Sequence, residues 1–274
     1  MTMSIRTNIA SLNAQRNLSS TQTALSSSMS RLSSGYRITK AGDDAAGLGI
    51  STKLTAQIKS YTQSIRNAND GMSVLQTSEA SLNETANILT RLRELAMESA
   101  SDGIGASERG YIQTEASQLL SEVDRIAQTT KFNGTALLSG ALATLSFHVG
   151  INDTTNDVIL FNNIDATTSA LGVGSLDLST LASASSALAL LDEALLNVST
   201  ARATIGATGN RFQSTINDIQ SFSEALSSAN SRIMDVDVAE ETSSMARANI
   251  LQQAGVSVLA QANQQPQLAL KLLQ

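Results

Sequence analysis

Apolar residues recur along this chain at alternating steps of three and four residues, the spacing that places one apolar stripe on a single face of a helix. One such run extends from Leu54 to Leu89 without a change of register. The 274 residues contain one proline, and only 3% of them are aromatic, so helix breakers and bulky core side chains are both scarce. The pattern therefore predicts a mainly α protein, in which long helices pack side by side as coiled coils.

One long helix is predicted over residues 44–100, although the Asn-Asp-Gly triplet at residues 69–71 is a sequence that normally indicates a turn. The apolar register passes through this triplet without a break, from Ala68 to Leu75. At about 1.5 Å per residue, a helix of this length would extend for roughly 85 Å. Such an element is a rod, which needs partner helices along its whole length.

Four further helices are predicted from the same spacing. A weakly apolar and polar-rich helix covers residues 5–32, and a shorter one, which should fold back antiparallel, covers residues 107–129. The strongest heptad pattern begins near residue 183 and continues to residue 233. A last helix covers residues 239–265, and Pro266 is expected to interrupt it.

The only β structure indicated lies between the helical halves. Residues 145–150 and 158–162 are rich in β-favouring side chains and flank the polar segment 152–157, which fits one hairpin. Helical arms at both ends of the chain must therefore pair with each other, or with neighbouring molecules, to bury their narrow apolar stripes.

The sequence offers no recognisable set of catalytic, cofactor-binding or metal-ligating residues. The chain has no cysteine, and its one histidine, His148, has no partner at ligand spacing, so we expect no enzyme activity, no cofactor and no metal site. The glycine pairs at residues 103–105 and 172–174 lack the third glycine of a dinucleotide loop and are interpreted as turns. Asp43 and Asp44 are interpreted as helix-capping residues rather than as paired catalytic carboxylates.

The charge and the hydropathy of the chain argue against nucleic acid and membrane as partners. The net charge is −6, and the basic residues are scattered singly, which argues against nucleic acid. The N-terminus has no apolar run of the kind found in signal peptides, and no stretch of about 18 apolar residues is expected to span a bilayer. The leucine-rich segment 268–273 is short and carries one lysine, so burial against protein is favoured over a membrane-surface anchor.

Several short motifs together resemble the bacterial flagellin family. Those in the N-terminal half are RLSSGYRI at residues 31–38, AGDDAAGL at 41–48 and RNANDG at 66–71. Those in the C-terminal half are NRF at 210–212, SRI at 231–233, ILQQA at 250–254 and VLAQAN at 258–263. The resemblance covers about residues 1–140 and 180–274, in the order that the family shows.

The resemblance implies a domain organisation of the flagellin D0/D1 kind. Residues 1–43 with 235–274 would form an inner coiled-coil domain, and residues 44–140 with 180–234 an outer helical domain. The segment 141–179 would be a short variable hairpin and loop region of the outer domain. This segment is too short for a further domain of ordinary size, so the chain is expected to be a minimal form without large outer domains.

By the same resemblance the function is structural: polymerisation into the helical filament of the flagellum, for swimming. The terminal helices would drive assembly, since each has a stripe too thin to be stable alone. We expect the ends to be disordered in the monomer. The residues expected to form the polymerisation interface are Ile5, Ile9, Leu12, Leu18, Leu25, Met29, Leu32, Ile250, Leu251, Ala254, Val258, Leu259, Leu268 and Leu272.

The family's partners and location follow as further expectations. Other copies of the chain would be the main partner, together with an export chaperone and the cap and junction proteins of the flagellum. Export through the flagellar type III channel would need no cleaved signal peptide and would place the protein outside the cell. No cofactor, nucleic acid or membrane insertion is expected.

A receptor-binding patch is also implied. Arg91, Leu95 and Glu115 match family positions recognised by host toll-like receptor 5. The alternative interpretation is that Leu95 packs between helices while Arg91 and Glu115 form a solvated charged face, and both can hold.

Rival functions remain open at this stage. The hook–filament junction protein of the same family shares both arms and is the main alternative. A metalloprotease insertion would need an H-E-x-x-H motif, which is missing. A host-binding adhesin is disfavoured by the lack of outer domains.

Overall fold

The computed structural model describes residues 7–141, 144–162 and 164–272, with side chains up to residue 264. It confirms a mainly α fold of long helices with small β hairpins. The helices are α1 (Ile9–Ser34), α2 (Ala45–Ser99), α3 (Ala106–Thr129), α4 (Leu181–Met234) and α5 (Val238–Leu272). The strands are β1 (Lys131–Phe132), β2 (Thr135–Ala136), β3 (Thr144–His148) and β4 (Val158–Asn162).

The chain divides into two compact units. The terminal unit consists of Met1–Ala56 and Ala225–Gln274, and the central unit is Gln57–Glu224. The limits of the units therefore fall inside α2 and α4, whereas the family resemblance implied limits near residues 44 and 234. The segment 141–179 belongs to the central unit.

The central unit has a continuous apolar core. In α2, the buried positions Ala68, Leu75, Leu82 and Leu89 repeat every seven residues, as the sequence pattern predicts. The members that lie on α3 and α4 are Ile112, Ala116, Val123, Ile126, Ala127, Ala184, Ala187, Leu191, Ala194, Val198, Ile205, Phe212 and Ile216. Three helices thus converge on one core.

Helices α3 and α4 both run antiparallel to α2. An ion pair of 2.9 Å joins Arg91 of α2 to Glu115 of α3, and Arg109 near the start of α3 donates to the carbonyl of Ser99 at the end of α2. On the other side, Arg202 of α4 contacts Glu79 at 2.8 Å. These pairs are partly exposed, so they define the pairing geometry more than they stabilise it.

Gly71 explains why α2 continues through a turn-like sequence. A Cβ atom at this position would lie 2.7 Å from Cζ of Phe212 and 3.2 Å from Cγ of Phe147. The two phenyl rings meet edge to face, with their centroids 5.6 Å apart. Glycine is therefore required here for close packing rather than for a change of chain direction.

Two hairpins lie between α3 and α4. The predicted hairpin is confirmed: β3 and β4 pair antiparallel, from Thr144 opposite Asn162 to His148 opposite Val158. The second hairpin, β1 with β2, is absent from the sequence prediction. Its turn is Asn133-Gly134, with φ of 47° and 82°, which is a strong hairpin signal in its own right.

Two sequence expectations need correction. Helix α5 does not end before Pro266 but runs through it to Leu272, so the proline removes one helical hydrogen bond without stopping the helix. Within the described residues, one helix, α4, also contains a window of mean hydropathy 1.3 that is long and apolar enough to cross a membrane by length and composition alone. A core helix passes the same test, and Ala184, Leu191 and Ala194 of α4 are buried in the central core.

We predict that Gly71→Ala destabilises the central unit even though alanine is the better helix former. The added methyl group meets the Phe212 ring, and overpacking of this kind costs about 1–3 kcal/mol. Gly110→Ala is the matched control, because a Cβ there meets nothing within 4 Å and α3 should gain about 0.5–1 kcal/mol. Denaturant unfolding followed by circular dichroism measures both changes, and equal stabilisation by both would contradict the packing role of Gly71.

Candidate assembly surface

Helices α1 and α5 of the terminal unit pack antiparallel along a heptad seam. Its α1 side consists of Ser11, Ala14, Leu18, Thr21, Leu25, Ser28 and Leu32. Its α5 side consists of Glu241, Met245, Ala248, Gln252, Gly255, Leu259 and Ala262. All of these side chains are buried or half-buried, and on each helix they follow alternating steps of three and four.

Small side chains occupy every seventh position of the seam. On α5 they are Ala248, Gly255 and Ala262, and on α1 they begin with Ala14 and continue through Thr21 and Ser28. A Cβ added at Gly255 would lie 3.4 Å from Cδ1 of Leu18. The two helices can therefore approach closely, but they bury little apolar surface when they do.

Polar contacts hold the two ends of the seam. At one end, the side-chain amide of Asn8 donates to the carbonyl of Ala262 at 2.8 Å, and Ser11 Oγ donates to Asn263 Oδ1 at 2.8 Å. At the other end, Arg31 Nη1 lies 3.6 Å from Glu241 Oε2. These contacts fix which residues of α1 face which residues of α5.

The pairing of α1 with α5 leaves most of their large apolar side chains in solvent. Besides Val238 at the start of α5, seven of them have between 51% and 67% of their surface exposed: Ile9, Leu12, Met29, Ile250, Leu251, Val256 and Val258. We call these residues the outer apolar set. By contrast, the buried residues of α1 are only Ala14 and Ser28, and the described buried residues of α5 are Ala248 and Ala262. Exposed apolar clusters of this kind mark surfaces that bind other proteins.

The residues predicted for the polymerisation interface fall into three groups. Leu18, Leu25, Leu32 and Leu259 lie in the seam within one chain. Ile9, Leu12, Met29, Ile250, Leu251, Ala254 and Val258 are exposed. Ile5 and the side chains of Leu268 and Leu272 lie outside the described residues. The sequence pattern of α1 shifts phase after Leu12 and resumes at Leu18. In the seam, Leu18 and the leucines that follow it alternate with small side chains, whose seven-residue repeat was the available signal.

The connections next to the arms are closely hydrogen-bonded. The backbone N–H of Arg37 donates to the carbonyl of Met234 at 2.6 Å, and that of Val236 donates to the carbonyl of Gly35 at 3.0 Å. The guanidinium of Arg37 also donates to the carbonyl of Ile233. The two connecting segments therefore run side by side as a short antiparallel pair within the terminal unit.

Asp44 has the helix-capping role that the sequence indicated, whereas Asp43 closes the turn that precedes α2. Asp44 Oδ1 accepts from the N–H of Gly47 at 2.8 Å, which caps the N-terminus of α2. Asp43 Oδ2 accepts from the backbone N–H groups of Lys40 and Thr39. These bonds favour the carboxylate and hold the pKa of Asp43 below its ordinary value.

The three residues of the predicted receptor patch differ in exposure. The side chains of Arg91 and Glu115 are about half exposed and form a doubly hydrogen-bonded pair, and Arg91 also contacts Glu94. The bonds to Glu94 and Glu115 raise the pKa of Arg91. Leu95, in contrast, is 2% exposed and belongs to the central core. Only the charged pair therefore presents a surface to a binding partner.

Metal-ligating side chains do not cluster in the described part of the chain. No group of three or more His, Cys, Asp or Glu residues able to hold a metal ion occurs there. His148 lies at the exposed end of β3, where its backbone carbonyl accepts from Asn67. The outer apolar set is thus the main candidate functional surface.

Comparisons with known proteins agree with this architecture. The family model for the bacterial flagellin N-terminal helical region matches residues 5–143, and that for the C-terminal helical region matches residues 188–273. A flagellin of Halalkalibacterium halodurans is 41% identical over 271 residues, covering 99% of this chain and 100% of the relative. The flagellar filament 33 kDa core protein of Treponema phagedenis is 38% identical over 287 residues, with the same coverage.

A solved structure supports the same relationship. The crystal structure of Bacillus cereus flagellin has a TM-score of 0.51 and 32% sequence identity, covering 56% of this chain and 88% of that chain. The residues that the two family models match include the two helical halves of the chain, which form the arms and the central helices. The chain therefore belongs to the bacterial flagellin family.

Proposed function

We propose that this chain is the structural subunit of a bacterial flagellar filament, outside the cell, and that its terminal helices drive polymerisation. The observation that carries the proposal is the outer apolar set, which α1 and α5 leave exposed when they pair with each other. Full-length relatives that are named flagellin or filament core protein support the same function.

The energetics favour burial of this set between subunits. Complete burial of a Val, Leu or Ile side chain contributes about 1.5–3 kcal/mol, and these side chains are already partly covered, so each would add roughly 1–2 kcal/mol. Part of that gain is offset by the entropy of ordering the arms. Contacts that are repeated head to tail do not close on themselves, so they generate a helical polymer rather than a dimer.

The hook–filament junction protein is the alternative within the family. Its subunits would carry similar arms but would act in few copies. The relatives that span the whole chain are named as flagellin or filament protein, which favours the filament subunit.

Before assembly, the exposed residues of α5 need protection from nonspecific association. We propose that an export chaperone covers Ile250, Leu251 and Val258 until the chain passes through the flagellar type III channel. Cap and junction proteins would then be its neighbours at the two ends of the filament.

We predict that Leu12→Ser combined with Leu251→Ser raises the critical concentration for seeded growth by a factor of ten or more. Each substitution removes roughly 1–2 kcal/mol of burial between subunits, and 1.4 kcal/mol is a factor of ten. The measurement is sedimentation and electron microscopy of purified monomer added to wild-type filament fragments.

Leu160→Ser with Leu196→Ser is the matched control, because both leucines are equally exposed but lie in the central unit. We expect this variant to grow at close to the wild-type critical concentration. An equal loss in the two variants would contradict the assignment to the arms, and a wild-type chain that never extends seeds would favour the junction protein.

We further propose that the Arg91–Glu115 pair is recognised by host toll-like receptor 5. The supporting observation is its exposure on adjacent helices, with the guanidinium held by two carboxylates. Leu95 would contribute through packing beneath the pair rather than by direct contact.

We predict that Arg91→Ala lowers receptor signalling by the monomer at least ten-fold, because it removes the charged group of the patch. The control is Arg125→Ala, which removes an arginine of α3 that pairs with Glu122 on its own helix. A reporter-cell assay measures both variants. Undiminished signalling by Arg91→Ala would exclude this role.

A further inference from the structure

Pro266 leaves one backbone carbonyl of α5 without its usual hydrogen-bond donor. It is the only proline in the chain, and α5 runs through it. Proline has no backbone N–H, so the carbonyl four residues earlier, that of Ala262, has no helical donor. Because the chain has no other proline, this is the one carbonyl that a proline deprives of its helical donor.

Asn8 supplies the missing donor from the other arm. Its Nδ2 donates to the carbonyl of Ala262 at 2.8 Å, while its Oδ1 accepts from the backbone N–H of Ser11 at 3.1 Å and caps α1. The adjacent bond from Ser11 Oγ to Asn263 Oδ1 reinforces the same junction. The N-cap residue of α1 thus donates to the α5 carbonyl that the proline leaves without a helical donor.

Apart from its polar contacts, the seam specifies its register weakly. Leu18 packs against Gly255, and small side chains repeat every seven residues on α5, so a slip of one heptad again places Leu18 opposite a small residue, Ala248. Such a slip would bring Asn8 near residue 255, whose carbonyl has a helical partner in the N–H of Leu259. A slipped pair would therefore leave the Ala262 carbonyl without a donor, at a cost in free energy.

We propose that Asn8 and Pro266 together set the register of the two arms, by pairing the Asn8 side-chain amide with the carbonyl that the proline leaves without a helical donor. The inference deepens the proposed function and rests on it, because correctly aligned arms present the outer apolar set in one arrangement for polymerisation. The proline acts here as a positioning residue rather than as a helix terminator.

A double-mutant cycle tests the coupling. Asn8→Ser keeps a good N-cap but is too short to reach the Ala262 carbonyl, whereas Pro266→Ala restores the helical donor to that carbonyl. We expect Asn8→Ser to raise the critical concentration for seeded growth about five-fold in the wild-type background. In the Pro266→Ala background we expect a change of less than about two-fold, since the carbonyl is already satisfied.

A distance measurement reports the register itself. The chain has no cysteine, so Ser19→Cys and Gln253→Cys introduce two unique, exposed sites for spin labels. Labelled subunits diluted into unlabelled filaments should give one distance in the wild-type background. With Asn8→Ser a second population should appear, since a one-heptad slip displaces the helices by about 10 Å along their axes.

Asn17→Ser is the control, because Asn17 is an exposed residue of the same helix and its side chain makes no contact with α5 among those described. Equal effects of Asn8→Ser in both backgrounds, or a single unchanged distance, would overturn the register proposal while leaving the filament function intact. Failure of the wild-type chain to extend seeds would overturn the filament function, and this proposal with it.

Discussion

The close approach of α1 and α5 along small side chains is the constraint on which the rest of the terminal unit depends. Ala14 on one helix and Gly255 on the other bring the helices together without burying much apolar surface. Larger residues such as Leu12 and Ile250 consequently remain exposed. A pair built in this way buries little apolar surface through its own contacts, and under the proposed function neighbouring molecules would supply the rest.

The central unit follows the opposite principle. Its helices converge on a continuous core, and Gly71 lets α2 approach the Phe212 ring more closely than any other residue would allow. Burial of this kind supports independent folding, because it offsets the entropy of ordering the chain. Under the proposed function, one sequence would combine a part that folds by itself with a part whose folding is coupled to assembly.

The sequence predicted the long helices and the β3–β4 hairpin well, because their apolar periods of 3.6 and 2 are strong and local. It missed the hairpin at Asn133-Gly134, whose strands are two residues each and carry no periodicity. It also misjudged Pro266. The helix tolerates this proline because the carbonyl that it leaves without a helical donor accepts a hydrogen bond from Asn8 instead. Which face of α1 contacts α5 depends on packing between helices, and so does the burial of Leu95. Spacing along a single helix does not determine either.

Amide hydrogen exchange, compared between dilute monomer and assembled filament, tests the central claim most directly. The account predicts rapid exchange throughout α1 and α5 in the monomer, slow exchange in the core segments of α2 and α4, and slow exchange everywhere in the filament. Strong protection of α1 and α5 in the monomer would contradict it, because the arms would then be stable without the contacts that polymerisation supplies.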